Sequence, residues 1–337
     1  MRRLLLAIAA LMAPVAAPVI VATGAAAQVE VEVRRDIEYG VANGQRLLLD
    51  AYVPVGRSDD SRRRPAVVMI HGGGFRAGDK ASWEPEARRV AEKGWVAFSV
   101  NYRLGEPTAF PAEVDDVQAA VRWVRANADE YRIDPGRIGA VGESAGGTLA
   151  ALLATLGSGS LEEGARVRAA VAWSAPLDLT RLARERGDGW GTPLIGCPLA
   201  ACPERYAAAS PITHVDPSDA PTFLVTSEEE LVPATQSFDM AIRLEDAGVT
   251  VRLTRLKGTR HALDYRDEMW GSALNFLDTH LELDPRRGYG TLAFALTVVV
   301  TAALAGLLML RYTRRAAAAG RPTPPAPPAS REPARTG

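Results

Sequence analysis

The run Gly142-Glu143-Ser144-Ala145-Gly146 fits Gly-x-Ser-x-Gly, the pattern that lifts a serine hydroxyl clear of a sheet on a sharp strand-to-helix turn. The chemistry it would serve is nucleophilic attack on an acyl carbon. An apolar strand, Arg137 to Val141, leads in, and a small-residue helix, Ala145 to Leu156, leads out. The motif requires both. Glycine at 142 and 146 removes side chains that would clash at the turn, and Gly147 extends the small surface on which the helix packs. Upstream, His71-Gly72-Gly73-Gly74-Phe75 ends a second apolar strand, Pro65 to Ile70. Acyl transfer needs backbone N–H groups aimed at a developing oxyanion, and three glycines let the backbone approach a substrate closely. Gly73 and Gly74 are the expected donors, with the amide of Ala145 as the third. A phosphate-binding loop would read Gly-x-x-x-x-Gly-Lys-Ser/Thr, which this stretch does not.

With these motifs the chain resembles the α/β-hydrolase esterases of the carboxylesterase and hormone-sensitive-lipase-like group, nearest the bacterial feruloyl and acetyl esterases. The resemblance runs from about Ile37 to about Leu281. It also draws on Asn101-Tyr102-Arg103-Leu104, Phe110-Pro111-Ala112-Glu113, Arg132-Ile133-Asp134-Pro135 and Ala209-Ser210-Pro211-Ile212. It implies an α/β-hydrolase fold, a serine triad and ester hydrolysis without a metal or cofactor.

A serine nucleophile needs a base, and the base an orienting carboxylate. In this fold they follow in the order Ser, Asp or Glu, His. The chain has four histidines. His261 follows the strand Val249 to Leu256 and the turn Lys257 to Arg260, the position the resembled family uses for its base. His214 and His280 are read as structural or surface residues, and His71 belongs to the glycine loop. For the acid, the family reads His-Gly-x-x-Asp-x-x-Val-Pro, whereas this chain reads Thr226-Ser227-Glu228-Glu229-Glu230-Leu231-Val232-Pro233. Counting back from Val232-Pro233 selects Glu229, with Glu228 and Glu230 as alternatives. Asp115 and Asp116 are assigned to a solvated helix face, and Asp178 to a helix cap.

The elements needed to hold these residues alternate. After two strands, Val29 to Tyr39 and Gln45 to Val53, joined by the hairpin signal Asn43-Gly44, strands and helices succeed each other to a last helix at Asp264 to His280. Alternation means a mainly parallel sheet with helices on both faces. The loops carrying Ser144, Glu229 and His261 then meet at its carboxyl edge. The segment Asp178 to Ala208 is expected to cover the site, with Trp190 and Phe75 lining it. Within it, Cys197 and Cys202 can close a small disulfide in an oxidising compartment; with no nearby histidine pair they make a poor zinc site.

Of 337 residues, 47% are hydrophobic and 23% charged, with net charge -1. That is ordinary globular usage, and no basic excess argues for nucleic acid. Residues 1–27 read as a secretory signal peptide: a basic Met1-Arg2-Arg3, an apolar run and Ala25-Ala26-Ala27 before Gln28. Residues 28–284 form the catalytic domain. Residues 290–310 are free of charge and long enough to span a membrane, with Arg311, Arg314 and Arg315 favouring a cytoplasmic end. Residues 311–337 form a Pro/Ala/Arg-rich disordered tail. The expectation is a membrane-tethered serine hydrolase of small carboxylic esters with its catalytic domain outside the cytoplasm. The alternatives are an inactive hydrolase fold serving as a tethered binding module and an amidase or arylformamidase.

Overall fold

A computed structural model describes residues 29–56, 63–105, 110–156, 160–162 and 164–282. The expected signal peptide, the expected 290–310 span and the expected tail lie outside the described residues. Among those described, no helix is long and apolar enough to cross a membrane.

Eight strands form one sheet: β1 (Glu30–Ala42), β2 (Gln45–Val55), β3 (Arg64–Ile70), β4 (Val96–Val100), β5 (Ile133–Glu143), β6 (Ala169–Trp173), β7 (Thr222–Ser227) and β8 (Val251–Leu256). Their order is β1-β2-β4-β3-β5-β6-β7-β8. β1 pairs antiparallel with β2, as the Asn43-Gly44 turn predicts, and β2 pairs antiparallel with β4; every later pairing is parallel. Parallel strands covered on both faces must be apolar throughout. β4 and β6 are buried at every residue, and β3 at all but its first.

The helices are α1 (Glu84–Glu92), α2 (Ala112–Ala126), α3 (Ala145–Thr155), α4 (Leu179–Arg186), α5 (Thr192–Ile195), α6 (Pro203–Ala208), α7 (Thr235–Asp246) and α8 (Arg266–Leu281). α2 buries Val114, Val117, Val121 and Val124, the stripe its helical spacing predicts. α3 is buried on every side. Its alanines and glycines let it sit close to the strands on either side of β5, and at Gly146 a Cβ would run into the carbonyl oxygens of Ile70 and His71.

One sequence expectation is corrected here. Asp116 is not on a solvated face: it is 1% exposed, and its carboxylate takes the Arg103 guanidinium, with Nε at 2.8 Å and Nη2 at 2.7 Å, and the Arg103 amide at 2.9 Å. The helix face that looked polar is the one that clamps the loop after β4. Asp178 caps α4 as expected, accepting from the Arg181 amide at 2.9 Å.

Candidate active site

β5 ends at Glu143 and α3 begins at Ala145, so Ser144 alone makes the turn. It does so at φ 51°, ψ −120°, a conformation that costs a non-glycine residue about 1–3 kcal/mol and persists only when its surroundings hold it. Those surroundings are visible. The Ser144 amide donates to Trp173 O at 2.7 Å, and a Cβ at residue 142 would strike the Gly146 carbonyl. The half-exposed Ser144 hydroxyl is left facing His261, with Oγ 3.1 Å from Nε2.

His261 stands between β8 and the short 3-10 turn Ala262–Tyr265. Its Nδ1 lies 2.6 Å from Oε2 of Glu230. With Nδ1 donating its proton to that carboxylate, Nε2 is free to accept one from Ser144. Glu230 is buried, and its other oxygen accepts from Thr226 Oγ1 at 2.7 Å and from the Ser227 amide at 2.8 Å. The carboxylate is thereby fixed in one orientation.

The carboxylate that meets His261 is therefore that of Glu230 and not that of Glu229. The Glu228 and Glu229 amides donate to Leu256 O at 2.9 Å and Gly258 O at 3.1 Å. Those two residues keep following β8 outward with exposed side chains, and the chain turns inward only at Glu230. Glu228 meets Arg255 instead, at 3.4 Å.

The His261 loop is held from behind. Ser174, directly after β6, accepts the Ala262 amide at 2.8 Å and shares a 2.7 Å hydrogen bond with the Tyr265 hydroxyl. Both side chains are buried, and burial holds the Tyr265 hydroxyl well above the usual phenol range, so it stays protonated as a donor. The sequence reading did not single out Ser174, Tyr265 or Thr226. Only the adjacency of Ser174 and Thr226 to strand ends distinguishes them in the sequence, and nothing local marks Tyr265.

The glycine loop lies beside the serine because β3 and β5 are neighbours in register, with Ile70 opposite Gly142. Gly73 (φ 117°) and Gly74 (φ 63°) both take conformations that favour glycine. The Gly73 carbonyl turns the other way and accepts from the amides of Arg76 and Ala77, at 3.1 Å each. Ala145 is the first residue of α3, so its amide has no partner within the helix. His71 is buried, stacked on Tyr102 with ring centroids 4.5 Å apart, while the Tyr102 hydroxyl donates to its carbonyl at 2.8 Å. Burial lowers the His71 pKa, which leaves a neutral structural ring under the loop. The far end of the loop is tied where Lys80 Nζ pairs with Asp36 at 2.9 Å and Asp50 at 3.0 Å.

The segment after β6 carries α4, α5 and α6. Cys197 and Cys202 are joined in a disulfide within it. Half-buried Trp190 packs against the core cluster that contains the buried Phe75. His214 donates from Nε2 to Ala208 O, 2.6 Å away, and His280 packs tilted against Phe276; neither bonds to the serine. Among the described residues no cluster of His, Cys, Asp and Glu is arranged to hold a metal ion.

A strained serine before a buried helix, a histidine and carboxylate from two later strand ends, and a mainly parallel sheet define an α/β-hydrolase of the carboxylesterase, hormone-sensitive-lipase-like group. Within that class the chain belongs to the BD-FAE family, which matches residues 49–244. Esterase LipQ of Mycobacterium tuberculosis is 34% identical over 247 residues, 68% of this chain and 57% of the relative. The chain thus spans little more than half the length of that curated protein. Among solved structures, a truncated carbohydrate esterase from gut microbiota shares the fold, with a TM-score of 0.65, 23% identity, and 76% of this chain and 99% of that one covered. A thermophilic esterase of the planctomycete Thermogutta terrifontis aligns with a TM-score of 0.61 at 25% identity, covering 76% and 94%.

Proposed function

We propose that this chain hydrolyses carboxylic esters through an acyl-enzyme on Ser144. The observation that carries the reading is the unbroken relay Ser144 Oγ, His261 Nε2, His261 Nδ1, Glu230 Oε2, with links of 3.1 and 2.6 Å. As Ser144 Oγ bonds to the acyl carbon, its proton passes to His261 Nε2, and Glu230 stabilises the imidazolium. The carbonyl oxygen becomes an oxyanion facing the amides of Gly73, Gly74 and Ala145. Collapse breaks the ester bond, and the departing alkoxide takes the proton from His261. Water then attacks the acyl-serine, giving its proton to His261. The second collapse releases the carboxylic acid and returns the proton to Ser144. These residues supply every proton transfer, so the scheme calls on no cofactor.

A short acyl chain, or an acetyl or feruloyl-type group, is expected, because the segment after β6 adds only three short helices and no large apolar lid. The intact relay speaks against an inactive binding module. The test is hydrolysis of p-nitrophenyl acetate and butyrate by the purified full chain beside Ser144→Ala. Activity present only with the serine supports the reading; equal rates in both proteins refute it. A structure of the Thermogutta terrifontis esterase phosphoramylated by tabun exists, and an organophosphate should likewise label this chain at Ser144 and leave Ser144→Ala unlabelled. For its location we infer export through residues 1–27 and tethering through 290–310. Protease treatment of intact cells should then remove the activity; protected activity would refute this placement.

A further inference from the structure

Glu143 occupies the variable position of the nucleophile motif, yet it is 7% exposed and no lysine or arginine pairs with it among the described residues. An isolated buried carboxylate is costly unless something specific receives it. What it receives is the Gly72 amide, at 2.5 Å from Oε1. The contact is intimate: a Cβ on Gly72 would lie 2.6 Å from Oε1 and 2.7 Å from the carboxyl carbon, so residue 72 must be glycine for the carboxylate to lie flat against the peptide. Burial pushes the Glu143 pKa up, opposed by the Gly72 hydrogen bond and by attraction to His261.

We propose that Glu143 is a positioning residue, whose carboxylate locks Gly72 to the nucleophile strand and so sets where the amides of Gly73 and Gly74 point. This rests on the esterase reading above. The loop is already held at its start by Tyr102 on the His71 carbonyl and closed on itself at the Gly73 carbonyl. Neither bond refers the loop to the serine. The Glu143 bond does, because Glu143 is the residue immediately before Ser144. A shift of the serine therefore carries the oxyanion donors with it, and the distance between nucleophile and donors is kept.

The experiment measures kcat and KM for p-nitrophenyl acetate in the full chain and in Ser144→Ala, Glu143→Ala and Glu143→Gln. Glutamine keeps a carbonyl acceptor for Gly72; alanine does not. Donors displaced from the oxyanion lose transition-state stabilisation without losing ground-state binding, so Glu143→Ala should lower kcat about 10- to 100-fold with KM within about threefold. Glu143→Gln should recover kcat to within about threefold of the parent. Wild-type kcat in Glu143→Ala, a loss confined to KM, or a glutamine variant as impaired as alanine overturns the proposal. Should Glu143→Ala fail to fold, Glu143→Asp decides. Its carboxylate falls one methylene short of Gly72, so it should be slower than Glu143→Gln, and an aspartate variant as fast as the parent overturns the proposal. A parent chain no faster than Ser144→Ala would instead sink the esterase reading itself.

Discussion

Replacing Glu230 by glutamine removes one charge and leaves the shape of the site almost intact. Oε1 can remain a carbonyl oxygen, still accepting from Thr226 Oγ1 and the Ser227 amide. The amide nitrogen then takes the place of Oε2, 2.6 Å from His261 Nδ1. It is a donor, so the ring answers by carrying its proton on Nε2, the tautomer that cannot accept from Ser144. The lost attraction adds to this. With the charges about 4 Å apart at an effective dielectric of about 20, the imidazolium forfeits about 4 kcal/mol, or about a thousandfold in rate at 1.36 kcal/mol per tenfold. Glu230→Gln should therefore lower kcat for p-nitrophenyl acetate by about 10³, with KM little changed and the melting temperature close to the parent's. Glu229→Gln, made alongside, should stay within about twofold, since its exposed side chain leaves the His261 ring to Glu230. A Glu230→Gln variant within tenfold of the parent, or a Glu229→Gln variant slowed as much as Glu230→Gln, would refute the assignment of the acid.

Other outcomes follow from the same geometry. Ser174→Ala leaves the Ala262 amide and the Tyr265 hydroxyl without the partner they share, so it should cost about 1–3 kcal/mol in urea unfolding and reduce kcat by about tenfold as His261 loses its support; an unchanged kcat would show that the loop holds itself. Gly146→Ala forces a methyl against the Ile70 and His71 carbonyls and should destabilise by at least about 2 kcal/mol, read as a melting temperature lowered by about 4 °C or more. Burial pushes the Asp219 carboxyl up to about 6, above the usual aspartate range. Its protonated form is favoured in the folded state, so its ionisation draws stability down as pH rises from about 4 through 6, by at most about 3 kcal/mol. Asp219→Asn should thus raise the melting temperature at pH 8 and leave it nearly unchanged at pH 4; equal shifts at both pH values would refute this.

The strained serine turn, the histidine that faces it and the sheet were legible because each is written in local pattern. A glycine-flanked serine between an apolar run and a small-residue helix admits few other structures, and His261 follows an identifiable strand and turn. The acid was not legible to the residue. Three glutamates stand in a row, and counting from Val232-Pro233 assumes a loop geometry that the shortened segment does not keep. The choice is made by two backbone bonds to Leu256 and Gly258, which carry Glu228 and Glu229 outward. Asp116 was misplaced for a related reason: its helix position suggested solvent, and only the chain's return through Arg103 buries it. Glu143 and Ser174 act on residues far away in sequence, 71 and 88 positions from their partners, and no local pattern announces such contacts.

The segment with α4, α5 and α6 leaves the sheet after β6 and returns to it at β7, and both its ends are latched. Gln236 of α7 accepts the amides of Leu177 and Asp178 at 2.9 and 2.7 Å, and Ser210 Oγ accepts that of Leu179 at 2.9 Å. Between the latches lie about thirty residues that contribute none of Ser144, His261, Glu230 or the glycine donors. The same stretch sends Leu182, Leu194, Ile195 and Tyr206 into the main core beside Ile70 and Leu149. It is thus a keystone rather than a cover plate: an engineer who reshapes it must refill those four positions, or the sheet that carries the proton relay loses its filling.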